Sequence, residues 1–245
     1  MTVHVRRRGA CLEVVLDRPE KRNALTRDMY TAMTRALRDA ADPAIAAVLV
    51  TSEGPAFTAG NDLDDFLDAD LGPDSPVLEF LDALTTTDAV VVAAVPGMAV
   101  GVGATMLLHC DHVVAAPDAS LRFAFVPVGL VPEAASTLLL PTVIGPVRAR
   151  TVLLSGDPID APRALEWGLV NAVVPADGLT GAARAFADRV AAQPREALRA
   201  TKRLLRSETA TVAARMAEET AEFRRRLASS EFRTAAERLL ARRSH

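Results

Sequence analysis

Cysteine is scarce in this 245-residue chain: there are two, Cys11 and Cys110, far apart and with no further cysteine at metal-ligand spacing. A zinc site is therefore not expected, and a reduced, cytoplasmic setting is. Aromatic residues make up 4% of the chain, with one Trp and one Tyr. The net charge is -3, and the arginines are interleaved with glutamates. No basic and aromatic stripe results, which argues against nucleic acid as a partner. Long apolar runs are missing too, since none approaches the ~18 to 20 residues needed to span a bilayer. The charged stretch Met1 to Arg8 is not followed by the apolar segment of a secretion signal. A soluble protein with no membrane partner is expected. Internal repeats and low-complexity linkers are absent as well.

What is present is a hydrophobic half, 50% of the residues, ample for one large core or a core with a helical appendage. Runs rich in Val, Ile and Leu recur at Glu13 to Leu16, Ile45 to Thr51, Ala89 to Val95, His112 to Ala116 and Val170 to Val174. Segments of helical period separate most of them, so an α/β fold is predicted. Thr26 to Ala40 reads as a helix with Thr26 as N-cap and Asp28 in the first turn, and Pro43 follows it. From Asp177 onward the pattern is helical, punctuated by Pro194 and by Ser229 with Ser230. Phe223, Leu227, Phe232, Leu239 and Leu240 give this tail apolar faces suited either to self-association or to the protein's own core.

Two segments carry the chemistry. Thr51 to Leu63 follows a hydrophobic run and has no period of its own. Within it, Gly60 beside Ala59 permits positive φ and close approach of a ligand to backbone N–H groups, as in anion-binding nests. A plain glycine turn into a helix capped by Asn61 or Asp62 fits the same residues. In Ala94 to Asp111, Gly101 and Gly103 stand at the mouth of an apolar helix. Unpaired N–H groups there would face a carbonyl oxygen near Val102. Close helix packing explains a Gly-x-Gly equally well.

Taken together and in order, Leu16 to Leu25, Phe57-Thr-Ala-Gly-Asn-Asp-Leu63, Pro96 to Asp111, Gly129-Leu-Val-Pro-Glu133 and Gly168-Leu-Val-Asn171 resemble the signature segments of the crotonase (enoyl-CoA hydratase/isomerase) family, over nearly the whole chain. The resemblance implies a crotonase-type spiral of ββα units over residues 1–190. It also implies a helical C-terminal region, residues 191–245, that assembles a homotrimer or a dimer of trimers. The implied substrate is an acyl-CoA, with no separate cofactor because coenzyme A arrives as part of the thioester. Asn61 and Val102 match the two backbone amides of the family's oxyanion hole, worth roughly 3 to 4 kcal/mol per donor in well-studied holes. Ala59, Gly60, Asp62, Leu63, Gly101 and Gly103 match residues that line the substrate, and Lys21 and Arg22 match the loop that approaches the nucleotide.

The two glutamates of the family's hydratases fall here on Thr105 and Phe125, neither of which does ordinary acid–base work near neutral pH. These two are expected only to line the pocket. A carboxylate appears instead at Glu133, and Gly-Leu-Val-Pro-Glu133, with Asn61 and Phe66, resembles the branch that converts 3-enoyl-CoA to 2-enoyl-CoA in fatty-acid degradation. There one glutamate takes the C2 proton and returns it at C4. An apolar pocket would raise the carboxyl pKa, and a helix start would oppose that. Locally, Pro132 and Glu133 also read as an ordinary first helical turn before Ala134 to Leu140. A hydratase-like enzyme using Thr105, or a catalytically silent acyl-CoA-binding homologue, are the alternatives.

The cluster His109, Cys110, Asp111 and His112 reads as structural, at a helix-to-strand junction. Phe80, Leu81 and Leu84 fit an acyl tunnel or plain core, and Trp167 fits packing. The acidic loop Asp64 to Pro76 is expected to shape acyl selectivity.

Overall fold

The structure, a computed structural model, describes residues 2–67, 72, 75–206 and 209–243. Ten strands are found among them: Val3–Arg8 (β1), Cys11–Leu16 (β2), Ala47–Ser52 (β3), Ala56–Thr58 (β4), Val90–Val95 (β5), Met98–Val100 (β6), His112–Ala115 (β7), Ser120–Arg122 (β8), Ile159–Asp160 (β9) and Ala172–Val173 (β10). The helices are Arg27–Asp39 (α1), Leu63–Leu67 (α2), Pro76–Thr86 (α3), Val102–Thr105 (α4), Ser136–Ile144 (α5), Pro146–Ser155 (α6), Ala161–Glu166 (α7), Leu179–Ala191 (α8), Arg195–Leu205 (α9), Thr209–Leu227 (α10) and Ser230–Arg243 (α11).

A six-stranded sheet runs β1-β2-β3-β5-β7-β10, antiparallel at β1/β2 and parallel elsewhere. A smaller sheet runs β4-β6-β8-β9. The pairs β3–β4, β5–β6 and β7–β8 each step from the large sheet to the small one before helical chain closes the turn. This is the spiral of ββα units that the sequence led one to expect.

The large sheet forms where hydrophobic residues run unbroken because both of its faces are covered. Val48, Val50, Val91, Ala93, Val95, Val113 and Ala115 point into one core layer. Their neighbours Ala47, Leu49, Val90, Val92, Ala94 and Val114 point into the other, which is closed by Leu179, Ala183 and Ala187 of α8. The five predicted runs correspond to β2, β3, β5, β7 and β10, with ends trimmed: Ile45 precedes β3, and Val170 and Val174 flank β10.

Five strands had no hydrophobic run to announce them. β1 carries Arg6, Arg7 and Arg8 along an exposed edge, and those of the small sheet are only two or three residues long. Helix α1 begins as predicted, with the Thr26 hydroxyl accepting from the amide of Met29, and ends at Asp39, ahead of Pro43.

The tail is helical through α8 to α11, broken at Pro194 and Ser229. Cationic side chains of α9 close carbonyls that the core leaves open. Arg199 donates to the carbonyls of Ala40, Asp42 and Ile45, and the buried Lys202 to that of Ala89 and to Asp111 Oδ2 at 2.6 Å. Phe223 and Phe232 are buried in the protein's own core, so those two apolar positions do not await a partner; the side chains of Leu239 and Leu240 lie outside what is described.

Candidate active site

The site is built on an unusual backbone pair before α1. Arg22 and Asn23 have φ of 51° and 53°, a region non-glycine residues enter at some cost. The fully buried Asn23 holds the conformation. Its Nδ2 donates to the carbonyls of Glu53 and Ala56, its Oδ1 accepts from the amide of Arg18, and its own carbonyl accepts from the Thr58 hydroxyl at 2.6 Å. Arg18 then pairs with the buried Asp62. Lys21 and Arg22 remain exposed on this bend, and the Arg22 carbonyl accepts from the amide of Ala59 at 2.9 Å. The surface around the nucleotide-loop candidates is thereby tied to the loop after β4.

That loop and the start of α4 meet through two glycines. A Cβ on Gly60, whose φ is +88°, would lie 2.9 Å from the carbonyl oxygen of Val100, and one on Gly103 would lie 2.4 Å from the Thr58 methyl. No larger residue allows so close an approach. Leu25 donates to the Gly60 carbonyl at 2.8 Å and accepts from the Asp62 amide at 2.9 Å, a parallel bridge centred on Asn61. In such a bridge the flanking residues make the bonds, so the amide of Asn61 faces the other way. Val102 opens α4, where an amide has no intrahelical acceptor. Neither amide has an acceptor among the described residues.

The helix at Val102 is shorter than expected: one α turn to Thr105, then a 3-10 turn, Met106–His109. A large macrodipole is thus not on offer, and two local N–H groups are. The reading of the first loop as a turn into a capped helix fits Asp62, whose Oδ1 accepts from the Asp64 amide at the start of α2. Leu63 is half-buried there.

Glu133 does not begin a helix. Helix α5 starts at Ser136, and Ala134 and Ala135 stand between, with φ of 59° and 54°. This corrects the reading of Pro132 and Glu133 as a first helical turn: two left-handed residues swing the Glu133 side chain off the helix end. It lies among Val77, Leu78 and Leu81 of α3 and Thr220 and Phe223 of α10. Glu133 is 8% exposed, and its Oε1 has no hydrogen-bond partner among the described residues. Burial, and secondarily the Glu219 carboxylate, push its pKa up to about 8.

Tyr30 connects this carboxyl to the amide pair. Its hydroxyl donates to Asn61 Oδ1, its ring meets Phe80 at 5.5 Å, and burial plus the Glu133 charge hold the phenol well above its ordinary pKa. Phe80, Leu81 and Leu84 are buried in the same core. Sequence reasoning missed Tyr30, Asn23 and Arg18; the stretch Leu16 to Leu25 carried the last two without their roles.

The remaining candidates divide cleanly. The Thr105 hydroxyl donates to the Val102 carbonyl at 3.4 Å, and Phe125 meets Phe223 edge to face at 6.4 Å. His109 Nε2 bonds the Ala134 carbonyl at 2.8 Å, Asp111 pairs with Lys202, and His112 stacks on Phe186 at 3.8 Å. Burial pushes the Cys110 thiol up to about 12 and lowers His109. No group of three metal-ligand side chains forms among the described residues. Arg148 covers the Trp167 ring at 5.0 Å. In the loop Asp64 to Pro76, residues 68–71, 73 and 74 and the Phe66 side chain lie outside what is described.

Known proteins resemble this chain in sequence and in fold. The sequence pattern of the family described as "Enoyl-CoA hydratase/isomerase" matches residues 6–243. "Probable enoyl-CoA hydratase echA6" of Mycobacterium bovis is 36% identical over 202 residues, 82% of this chain and 81% of that protein. The 1,2-epoxyphenylacetyl-CoA isomerase of Escherichia coli is 33% identical over 208 residues, 80% of this chain and 78% of its own. A crystal structure of an enoyl-CoA hydratase/isomerase from Pseudoalteromonas atlantica T6c superposes with a TM-score of 0.94 at 40% identity, covering 99% of this chain and 98% of that one. The glycine-joined amides, the spiral that carries them and these likenesses lead to one conclusion: the chain belongs to the enoyl-CoA hydratase/isomerase family.

Proposed function

We propose that the chain moves the double bond of a 3-enoyl-CoA to the 2-position, with Glu133 as its single acid–base group. The observation that carries this is the buried Glu133 carboxyl, with one oxygen unpartnered among the described residues, in a small cavity walled by Val77, Leu78, Leu81, Phe223 and Thr220, where burial pushes its pKa up to about 8. A proton shuttle needs a group that can both accept and give near neutral pH.

In this reading the thioester oxygen sits between the amides of Asn61 and Val102, which stabilise the enolate formed as the C2 proton moves to Glu133. The same carboxyl then delivers that proton to C4. Ala59, Gly60, Leu63, Gly101 and Gly103 line the thioester and pantetheine, and Lys21 and Arg22 meet the nucleotide phosphates. Asp62, paired with Arg18, shapes the loop from behind.

Hydration is the weaker reading. It needs a second group to activate water, yet Thr105, whose hydroxyl donates to the Val102 carbonyl, is no ordinary acid or base near neutral pH, and Phe125 is a ring against Phe223. The test is to incubate the purified protein with a 3-enoyl-CoA and follow the absorbance of the conjugated 2-enoyl thioester. Glu133→Gln should lower kcat by roughly 100-fold to 10,000-fold. No turnover by the wild type, or undiminished turnover by the variant, would refute the proposal. Hydration of a 2-enoyl-CoA would favour the alternative, and tight acyl-CoA binding without turnover a silent homologue.

We also propose a homotrimer or a dimer of trimers. Val147, Leu154, Leu204 and Leu205 are 72, 68, 83 and 77% exposed in the single chain, an apolar burden that assembly would relieve.

A further inference from the structure

We propose that Glu219, from the C-terminal helix α10, is a positioning residue for Glu133: it occupies the amides at the start of α5, so that the Glu133 carboxyl stays free in its cavity. The proposal rests on reading Glu133 as the acid–base group.

Exposed amides at a helix start attract the nearest carboxylate, and Ala135, at the cap of α5, has no side chain to offer. By sequence Glu133 is that carboxylate. Glu219 takes the place instead, accepting from the Ala135 amide at 2.7 Å, the Thr137 amide at 3.0 Å and the Thr137 hydroxyl at 2.6 Å. The left-handed pair Ala134 and Ala135 is a strained backbone that persists only when held by such anchors. Three more bonds tie two carbonyls of the turn: that of Glu133 accepts from the Ser136 amide and hydroxyl, and that of Ala134 is bonded by His109.

Glu219 is itself 6% exposed, so two carboxyl groups share one buried region. They differ in what they are given. Glu219 has three donors, whereas Glu133 Oε1 has none among the described residues. Burial raises both, but the donors and Arg215 favour the anion at Glu219. The other titratable groups facing this space are neutral: Tyr30 of α1 donates to Asn61, and His109 is held below its ordinary pKa by burial. From α3 come only Val77, Leu78 and Leu81. Glu219 is thus the better hydrogen-bonded carboxyl beside which Glu133 must ionise, as well as the clamp that aims it.

The test compares wild type, Glu219→Gln, Glu219→Asp and Glu133→Gln. The Glu133 carboxyl is titrated by infrared difference spectroscopy, its band assigned by its loss in Glu133→Gln, and kcat and KM for a 3-enoyl-CoA are followed across pH. In Glu219→Gln the midpoint should fall yet stay above the ordinary carboxylate range, because burial, the larger cause, remains; the acid limb of kcat should move with it, and plateau kcat should drop roughly 100-fold as the turn loosens, with KM little changed. Glu219→Asp keeps the charge and shortens the reach, so its midpoint should stay high while kcat falls.

A folded Glu219→Gln with an unmoved midpoint would overturn the proposal. If Glu219→Gln does not fold, Glu219→Asp decides: wild-type kcat would overturn it. Wild-type turnover in Glu133→Gln would instead remove the acid–base reading alone, because the carboxyl titration still reports whether Glu219 governs Glu133.

Discussion

Glu133 keeps its proton in the folded protein to about pH 8, whereas an unfolded glutamate releases it near 4.5. Its folded pKa is raised, so the native state binds more protons than the unfolded state between these values. Stability from this group is therefore fully present below pH 4.5 and declines as pH rises toward 8, by roughly 1 kcal/mol per pH unit. Glu133→Gln should accordingly raise the melting temperature relative to wild type, with a gap that widens from pH 5 to pH 8 in calorimetry. A constant gap would mean that the carboxyl titrates normally. Gly60→Ala addresses the amide pair: its methyl would press on the Val100 carbonyl at a φ of +88°. A fall of roughly 100-fold in kcat/KM, against a modest loss of stability, is expected from steady-state kinetics and melting. At this scale Asn61, Val102 and Glu133 could be named as candidates, because a short motif resembling the family's surrounds each one. Glu219 was not, since nothing near it in sequence hints at the amides of Ala135 and Thr137.

Elements were legible in proportion to how completely they are buried. The parallel strands β3, β5 and β7 need apolar residues on both faces, and that requirement is written as unbroken runs. β4, β6 and β8 are too short for a periodicity to register, although the β4–β6 pairing brings Gly60 against Val100 and Gly103 against Thr58. The onset of α5 was misjudged for a different reason: Pro-Glu suits a first helical turn, and only tertiary bonds select the left-handed turn seen at Ala134 and Ala135. Asn23 shows the same dependence between elements, bonding the β3–β4 connection at Glu53 and β4 at Ala56 from the bend before α1. Asn23→Ala should cost roughly 2 to 4 kcal/mol in urea unfolding through buried groups left unpaired. A loss below about 1 kcal/mol would show that the bend is held by other means.

The whole molecule brings distant segments to one place. Tyr30 comes from α1, Asn61 from the loop after β4, Val102 from α4, Glu133 from the approach to α5, and Thr220 and Phe223 from α10. Composition and periodicity announced an α/β core with a helical tail, but not that the tail would supply a wall of the cavity. The exposed Leu204 and Leu205 bear on assembly, and light scattering should return about three or six times 26.0 kDa. A monomer at micromolar concentration would contradict the proposed oligomer.

The bonds from α10 to the Ala135–Thr137 turn also set an order of events in the cell. The amides at Asn61 and Val102 are synthesised first, while Glu219 lies 84 positions beyond Ala135 and leaves the ribosome later. A nascent chain that has already folded its sheets would hold an open cavity and an unanchored Glu133. If the proposed function holds, chemistry would begin only once α10 docks, so a chain cut short before Glu219 would be inert rather than a competing, leaky catalyst.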